Sequence, residues 1–463
     1  MLTKFTRRAL LGFLLSISLL FGTTVQAEEP IEELRHYIDN YYIKEVSDSV
    51  LKESTPEAIL KHLDQHSTYF TPEEFQQFFE NLNRTFVGIG VAVEKHEKGI
   101  LLVSIYKGSP AEKVGLQAGD IITEVDGTSV VGKPVEEGIN LIKGKAGTQT
   151  TIKVLRQATN STLQVTITRE VITFPTVDFE RLSGNIGYIR LYSFNEKSKA
   201  EMIDAMNKLG NVNGWIVDFR DNGGGLVTTA QEVGGFFKNV NKAYLLKNRV
   251  SLPTVYPTIK PSKVFEGPVH LLVNGYSASA SEMVAAAVKE EKAAVLYGQT
   301  TYGKGTMQQF FELSDGSAVK LTTSEFFSPK GTKIDSVGVK PDKTTVSGAE
   351  LLTSHYDMLR ANLSKYTKLA SLTNVPVDKT FTIEMSHTMK WGQFGKTDVQ
   401  LFEVGGKEVE LTLSASGTNK VMATPKGNLK KGSTYFLVIN PKWTGSNGKA
   451  MWKGSYLEVT VKK

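Results

Sequence analysis

Between residues 184 and 345, apolar runs repeatedly end in glycine or small-residue turns that lead into helical patterns. Residues 215–219 form one such run, which leads through Arg-Asp-Asn-Gly-Gly-Gly into a helical pattern over residues 226–237. Residues 269–274 form another, followed by the small-residue segment SASASEMVAAAVKEE. Strand–turn–helix units of this kind predict a mixed or parallel sheet whose turns hold the functional groups.

The chain has 463 residues, which predicts about three domains. Hydrophobic residues make up 40% and charged residues 22%, which is typical of a globular protein. The absence of cysteine excludes disulfides, thiol nucleophiles and cysteine-ligated metals.

The first 27 residues are typical of a secretory signal peptide. Lys4, Arg7 and Arg8 precede an apolar run over residues 9–22, and Val-Gln-Ala27 resembles a cleavage site. Fourteen apolar residues are short for a bilayer span, so retention as a membrane anchor is the weaker alternative. The sequence therefore predicts export to the periplasm, the cell wall or the medium.

Positive charge is concentrated at the two ends of the chain, whose net charge is +6. Residues 373–463 contain thirteen lysines and seven acidic residues. An attraction of this end to anionic cell-wall polymer follows, with a merely solvated lysine-rich face as the alternative. The exported location argues against nucleic acid as a partner.

Residues 28–82 predict short helices, one of them opened by a capping box from Thr71 to Glu74. Residues 83–170 alternate strands with glycine turns, and GSPAEKVGLQAGDIITEVDG resembles a PDZ domain. The resemblance implies a loop whose backbone N–H groups receive a terminal carboxylate, and a following strand that pairs with the peptide. That loop consists of Phe86, Val87, Gly88, Ile89 and Gly90. A purely structural glycine turn is the alternative for the two glycines.

The other boundaries follow changes of pattern. Residues 171–347 are the α/β core and residues 348–372 a helical connector. Residues 373–463 carry short alternating strands, which predict a β-sandwich and resemble the bacterial Ig-like domains of surface proteins.

Gly298, Gly303 and Lys304, in GQTTYGKGTMQQ, approach the pattern of a phosphate-binding loop. Gly305 stands where that loop needs a hydroxyl for magnesium, and the next residues predict a strand where it needs a helix. Nucleotide binding is therefore not expected. His62 and His66 lack both the glutamate of H-E-x-x-H and a third ligand, so no metal or other cofactor is expected.

A serine nucleophile needs a base, and the histidines offer none in the right place. His270 alone falls in the α/β core, within an apolar strand, and is interpreted as a satisfied core residue. A lysine base must lose its charge, which burial favours by lowering its pKa from about 10.4. Gly303 and Gly305 would let backbone approach Lys304, while Tyr302 and Met307 would cover it.

NGYSASASEMVAAA followed by YGKGTMQQ resembles the carboxyl-terminal processing proteases, also called tail-specific proteases. In that family the serine precedes the lysine by twenty-five residues, and a glutamine follows the lysine by four. The resemblance implies Ser279, Lys304 and Gln308 as catalytic residues. The residues alone do not choose among Ser277, Ser279 and Ser281; only the family spacing does.

The resemblance covers residues 30–345 and includes VDFRDNGGGL, LDQHSTYFTPEEF and VGVKPD. It implies a peptidase core of crotonase-like or Clp-protease-like β/α layers, with an oxyanion hole from the backbone of Gly224, Gly225 and Ala280. Asp221 stands where the family often has asparagine.

The expected activity is that of a serine endopeptidase that cleaves near the C-terminal tails of flexible proteins, with the PDZ domain capturing the tail. Members of the family often dimerise and respond to activating peptides, so the resemblance leaves both open. An inactive PDZ/Ig-like surface binding protein is the alternative.

Overall fold

The computed structural model describes residues 30–463, so the predicted signal peptide lies outside the described residues. The first part of the described chain is mostly helical. Its elements are α1 Pro30–Tyr41, α2 Asp48–Leu51, α3 Pro56–Leu60, β1 Thr68–Phe70 and α4 Pro72–Leu82. Thr71 caps α4: its Oγ1 accepts from the Glu74 N–H, and the Glu74 carboxylate accepts from the Thr71 N–H.

The segment that resembles a PDZ domain follows, built on a sheet in the order β3-β4-β5-β7-β8 with β6 beside β5. Strands β2 and β9 pair with each other and connect this domain to the rest of the chain. The elements are β2 Thr85–Gly88, β3 Val91–His96, β4 Gly99–Ile105, α5 Pro110–Lys113, β5 Asp120–Val125, β6 Thr128–Ser129, α6 Val135–Ile142, β7 Gln149–Arg156, β8 Ser161–Thr168 and β9 Glu170–Thr173.

The α/β core contains two sheets. One has the order β10-β11-β12-β15-β16-β19, with only its first pair antiparallel; the other has the order β1-β18-β13-β14, with β17 also on β18. The elements are β10 Val177–Leu182, β11 Ile186–Leu191, α7 Ser198–Leu209, β12 Trp215–Asp218, α8 Val227–Gly234, β13 Lys242–Asn248, β14 Thr254–Pro257, β15 Val269–Val273, α9 Ala280–Glu290, β16 Val295–Gly298, β17 Thr306–Glu312, β18 Ala318–Phe327 and β19 Lys343–Thr344.

The central strands β12 and β15 are buried along their whole length, as expected for parallel strands covered on both faces. The predicted α/β pattern is therefore confirmed, with small shifts at the ends. The helix predicted over residues 226–237 ends at Gly234, where the chain passes close to another segment: a Cβ on Gly235 would lie 2.1 Å from the Ile259 carbonyl oxygen.

The chain ends in two sheets that face each other across an apolar core. Helix α10, Glu350–Asn362, leads into them. The strands are β20 Thr367–Lys368, β21 Leu372–Val375, β22 Phe381–Glu384, β23 Val399–Glu403, β24 Glu408–Val409, β25 Leu411–Ala415, β26 Lys420–Pro425, β27 Thr434–Ile439 and β28 Ser455–Val461. The multidomain α/β fold class is confirmed, whereas the Ig-like character of this unit stays a prediction.

The C-terminal sheets are attached to the core by packing and by hydrogen bonds. Leu359 and Leu363 of α10 share an apolar cluster with Phe402 and Phe436. The buried His355 bridges the junction, because its Nε2 lies 3.0 Å from the Ser183 carbonyl oxygen and its Nδ1 accepts from the Gly405 N–H at 2.8 Å. Among residues 30–463, no helix combines the length and apolar character needed to cross a membrane.

Candidate active site

Ser279 lies at the turn between β15 and α9, with φ +56° and ψ −115°. A positive φ is costly for a residue with a side chain, on the order of 1–3 kcal/mol, and such strain is concentrated at functional sites. The adjoining helix N-terminus favours a negative charge that develops here. The turn therefore suits a nucleophile.

The other two serines of SASAS use their hydroxyls structurally. Ser277 Oγ donates to the Phe219 carbonyl oxygen at 2.8 Å, and Ser281 Oγ donates to that of Asn222 at 2.9 Å. Among the described residues, Ser279 Oγ donates to no acceptor; it faces the Glu282 N–H in a capping box at the start of α9. Ser279 lines a cleft of about 420 Å³. The structure thus distinguishes three serines that the residue pattern alone left equivalent.

Lys304 lines the same cleft and lies between β16 and β17. Burial, the largest cause, and the nearby charge of Lys320 lower its pKa to about 8, while Asp64 and Glu282 act in the opposite direction. The two flanking glycines allow close backbone approach, since a Cβ on Gly305 would lie 2.3 Å from the Asp335 amide nitrogen.

The predicted cover of Lys304 is only partly correct. Met307 lines the cleft, but Tyr302 is 57% exposed and does not shield the lysine. The strand predicted after Lys304 is present as β17, so no helix N-terminus follows the lysine as a phosphate loop would require.

Glu282 is a buried carboxylate that the sequence interpretation missed. It accepts from the backbone N–H groups of Ser279 at 2.9 Å, Gly303 at 2.7 Å and Lys304 at 2.9 Å, and from Thr301 Oγ1 at 2.5 Å. Burial raises its pKa, and these donors oppose the rise. The site therefore contains a buried carboxylate, which holds the serine turn and the lysine loop together. The spacing S-x-x-E at a helix start could have revealed it.

Gln308 lies in the cleft, at the start of β17. Its Nε2 donates to the hydroxyls of Thr306 at 3.0 Å and Thr322 at 3.1 Å. Thr322 in turn donates to Asp64 at 3.0 Å. These contacts orient the amide, and no described donor occupies its oxygen.

The glycine turn after β12 packs directly on Ser279. A Cβ on Gly224, at φ +100°, would lie 2.8 Å from the Ala278 carbonyl oxygen and 2.9 Å from the Ala280 nitrogen. The Gly224 N–H donates to Asn222 Oδ1 at 2.9 Å. The Gly224 N–H is therefore already engaged, and its predicted part in an oxyanion hole stays a prediction. Within residues 30–463, the N–H groups of Gly225 and Ala280 have no acceptor.

Asn222 was also missed, although it connects the two turns. Its Nδ2 donates to the Leu191 carbonyl oxygen at 2.8 Å. The backbone carbonyl oxygen of Asn222 accepts from the Ala278 N–H and the Ser281 hydroxyl. Asp221, where the resemblance leads one to expect asparagine, has φ +61°, lies 3.1 Å from Arg190 and accepts from Asn274. His270 lies away from the cleft, beside Ser354.

The predicted carboxylate-binding loop of the PDZ domain is shorter than expected. Phe86, Val87 and Gly88 belong to β2 and pair with β9, so they are part of the connection to the core. Only the turn at Ile89 and Gly90 precedes β3, and Gly90 has φ +80°. Strand β3 is an edge of its sheet with α6 nearby, so an edge for an added strand is present.

Comparison with known proteins identifies two segments. Peptidase family S41 matches residues 185–345, and a PDZ domain matches residues 102–156. Carboxy-terminal processing protease CtpA of Bacillus subtilis is 35% identical over 348 residues, which cover 74% of this chain and 70% of that protein. A probable CtpA-like serine protease of Staphylococcus epidermidis is 34% identical over 319 residues, which cover 67% of this chain and 64% of that protein. The solved photosystem II D1 C-terminal processing protease is 27% identical, with a TM-score of 0.45 and coverage of 71% of this chain and 95% of that one.

Proposed function

The chain belongs to peptidase family S41 and is a carboxy-terminal processing serine protease with a PDZ domain, and on that basis we propose that it cleaves polypeptides with a Ser279–Lys304 dyad. One observation carries this proposal: Ser279, whose hydroxyl donates to no described acceptor, and a lysine whose pKa is lowered to about 8 line the same cleft. At pH 7, roughly one such lysine in ten is neutral and able to accept a proton.

In the proposed reaction, Ser279 Oγ attacks the scissile carbonyl carbon while neutral Lys304 takes the hydroxyl proton. The carbonyl oxygen becomes an oxyanion that accepts from the N–H groups of Gly225 and Ala280. Lys304 then protonates the departing amine, which leaves an acyl group on Ser279. Water, deprotonated by Lys304, hydrolyses that ester. Gln308 would accept from the lysine amine through its free Oε1.

Hydrolysis of unfolded casein tests the dyad. We expect Ser279→Ala and Lys304→Ala to lose activity, and Gln308→Ala to lose part of it. Ser281→Ala is the matched control and should retain cleavage, because that hydroxyl serves only a backbone contact. Cleavage that persists in Ser279→Ala would contradict the assignment.

We also propose that the PDZ domain captures the substrate tail between β3 and α6, with the turn at Ile89 and Gly90 receiving the terminal carboxylate. Paired peptides that differ only in a free or an amidated C-terminus test this idea. Loss of a charge-assisted contact is worth about 1.5–3 kcal/mol, so amidation should lower kcat/KM by roughly tenfold or more. Equal rates for the two peptides would exclude carboxylate capture.

Export is proposed from residues 1–27, and it predicts that the mature protein begins at Glu28. N-terminal sequencing of the protein recovered outside the cytoplasm measures this directly. A chain that retains Met1 there would contradict cleavage.

For the C-terminal unit, we propose contact with anionic cell-wall polymer. The loops over residues 385–398 and 440–453 are joined by hydrogen bonds between backbone groups, and Trp452 on the second loop is 90% exposed. Their one acidic residue, Asp398, is buried. The basic residues there are Lys390, Lys396, Lys442, Lys449 and Lys453.

Binding of the full chain to poly(glycerol phosphate) tests this surface. Binding of the wild type should weaken as the salt concentration rises, because salt screens charge. Replacing Lys390, Lys442 and Lys453 with serine should abolish this binding. The control replaces Lys407, Lys420 and Lys426, each of which has an acidic partner. Equal binding of the two triple variants would show that Lys390, Lys442 and Lys453 are solvated surface residues with no particular part in binding.

A further inference from the structure

A second lysine lines the active-site cleft. Lys320 lies on β18, half-buried between the fully buried Val319 and Leu321, and lines the same cavity as Ser279 and Lys304. It is two residues from Thr322, whose hydroxyl holds Gln308, so the two side chains leave the same face of the strand.

Among residues 30–463, the side-chain ammonium of Lys320 has no hydrogen bond and no ion pair. Its Nζ lies 5.4 Å from the ring centre of Phe70 and 5.5 Å from that of Phe78. Aromatic faces attract a cation without neutralising its charge. None of the residues that line the cleft is acidic. No negative charge on the cleft surface therefore offsets the positive charge of Lys320.

Several other charged groups act on this region. Asp64 and Glu282 oppose deprotonation of Lys304 through their negative charge. His66 has its pKa lowered by burial, by Lys304 and by Lys320, with Asp64 and Asp335 opposing, so it adds little positive charge near neutrality. Burial also lowers the pKa of Lys320, whereas the negative charge of Asp64 acts to raise it.

We propose that Lys320 is a positioning residue of the dyad, whose ammonium, held over Phe70 and Phe78, favours the neutral amine of Lys304 that accepts the Ser279 proton. A neighbouring cation is an established way to activate a lysine. This inference rests on the proposed function, since it presupposes that Lys304 is the base. It gives Lys320 a role without any contact with substrate.

The pH dependence of kcat/KM tests the inference. In the wild type, the rate should rise with pH through about 8, as Lys304 loses its proton. In Lys320→Met, the loss of a nearby charge should move this rise upward by on the order of one pH unit. The variant should therefore be about tenfold slower at pH 7 and close to wild type on the alkaline plateau.

Two variants serve as controls. Lys320→Arg keeps the charge and should restore the wild-type position of the rise. Lys263→Met removes an exposed positive charge outside the cleft and should leave the profile unchanged.

Three results would overturn the proposal: an unmoved profile in Lys320→Met, a loss of equal size at every pH, or a higher KM for acidic substrates alone. The second would indicate a structural role and the third a substrate contact. Lys304→Ala separates this inference from the dyad itself. If that variant is inactive at every pH while Lys320→Met keeps the wild-type profile, only the role of Lys320 fails; if it stays active, the dyad fails.

Discussion

At the scale of single residues, the candidate site contains groups that hold the proposed dyad, Ser279 and Lys304, without a proposed part in the reaction. Glu282 binds the backbone at both Ser279 and Lys304. Gly224 lets the glycine turn lie against the serine. Both roles depend on the tertiary structure: Glu282 connects the serine turn to the lysine loop, and Gly224 brings the glycine turn against the serine turn.

Glu282→Gln should impair catalysis and stability together. The amide NH₂ would face N–H donors that now point at carboxylate oxygen, leaving buried groups unsatisfied at about 1–3 kcal/mol. We expect a loss of that size in the free energy of unfolding, measured with urea, and a fall in kcat of tenfold or more. Unchanged kcat with lowered stability would reduce Glu282 to a structural residue.

Gly224→Ala should abolish casein hydrolysis, since its methyl group would collide with the backbone on both sides of Ser279 and φ is +100°. Gly223→Ala is a matched control in the same turn. A Cβ there meets nothing within 4 Å, so activity should persist. Similar activity in the two variants would show that this close approach does not matter.

At the scale of elements, α4 covers one side of the cleft. Its Phe78 lines the cavity and lies 5.0 Å, centre to centre, from the ring of Phe310 on β17. The helix begins at a capping box that the spacing of Thr71 and Glu74 predicts and the structure contains. A local signal thus determines where this cover starts.

Thr71→Ala should lower the free energy of unfolding by about 0.5–2 kcal/mol, the usual cost of losing an N-cap. Urea denaturation measures the change. Gln77→Ala alters an exposed residue of the same helix and should have an effect of a few tenths of a kcal/mol. If the two variants unfold alike, the cap contributes nothing measurable.

At the scale of the whole molecule, the C-terminal unit is an integral part of the structure. Deleting residues 373–463 would expose the apolar contacts that α10 makes with this unit, so surface substitutions test its proposed binding to cell-wall polymer better than truncation does. The junction contains His355, whose pKa burial lowers to about 4. Its neutral form fits the two contacts, with Nε2 donating to Ser183 and Nδ1 accepting from Gly405.

Acid should weaken this junction. His355 binds a proton more readily in the unfolded chain, near pH 6.5, than in the folded one, near pH 4. Its contribution to stability is therefore complete above pH 6.5 and is lost as the pH falls toward 4, by up to about 3 kcal/mol. Urea unfolding at several pH values measures the slope. His355→Gln should flatten it, whereas His387→Gln, at an exposed site, should not.

By itself, the sequence determined the order of strands and helices in the core, the PDZ domain and the family, because hydrophobic period, glycine turns and motif spacing are local properties. The family's two spacings, twenty-five residues from serine to lysine and four from lysine to glutamine, selected the three candidate catalytic side chains, and they do lie in one cleft. Only the tertiary structure decided which serine hydroxyls donate to backbone carbonyls and which does not, that the Gly224 N–H is already engaged, and that Glu282, Asn222 and Lys320 lie at the site. The physical reason is that hydrogen-bond partners and burial depend on segments far apart in the chain: the contact between Asp64 and Thr322 that supports Gln308 spans 258 positions.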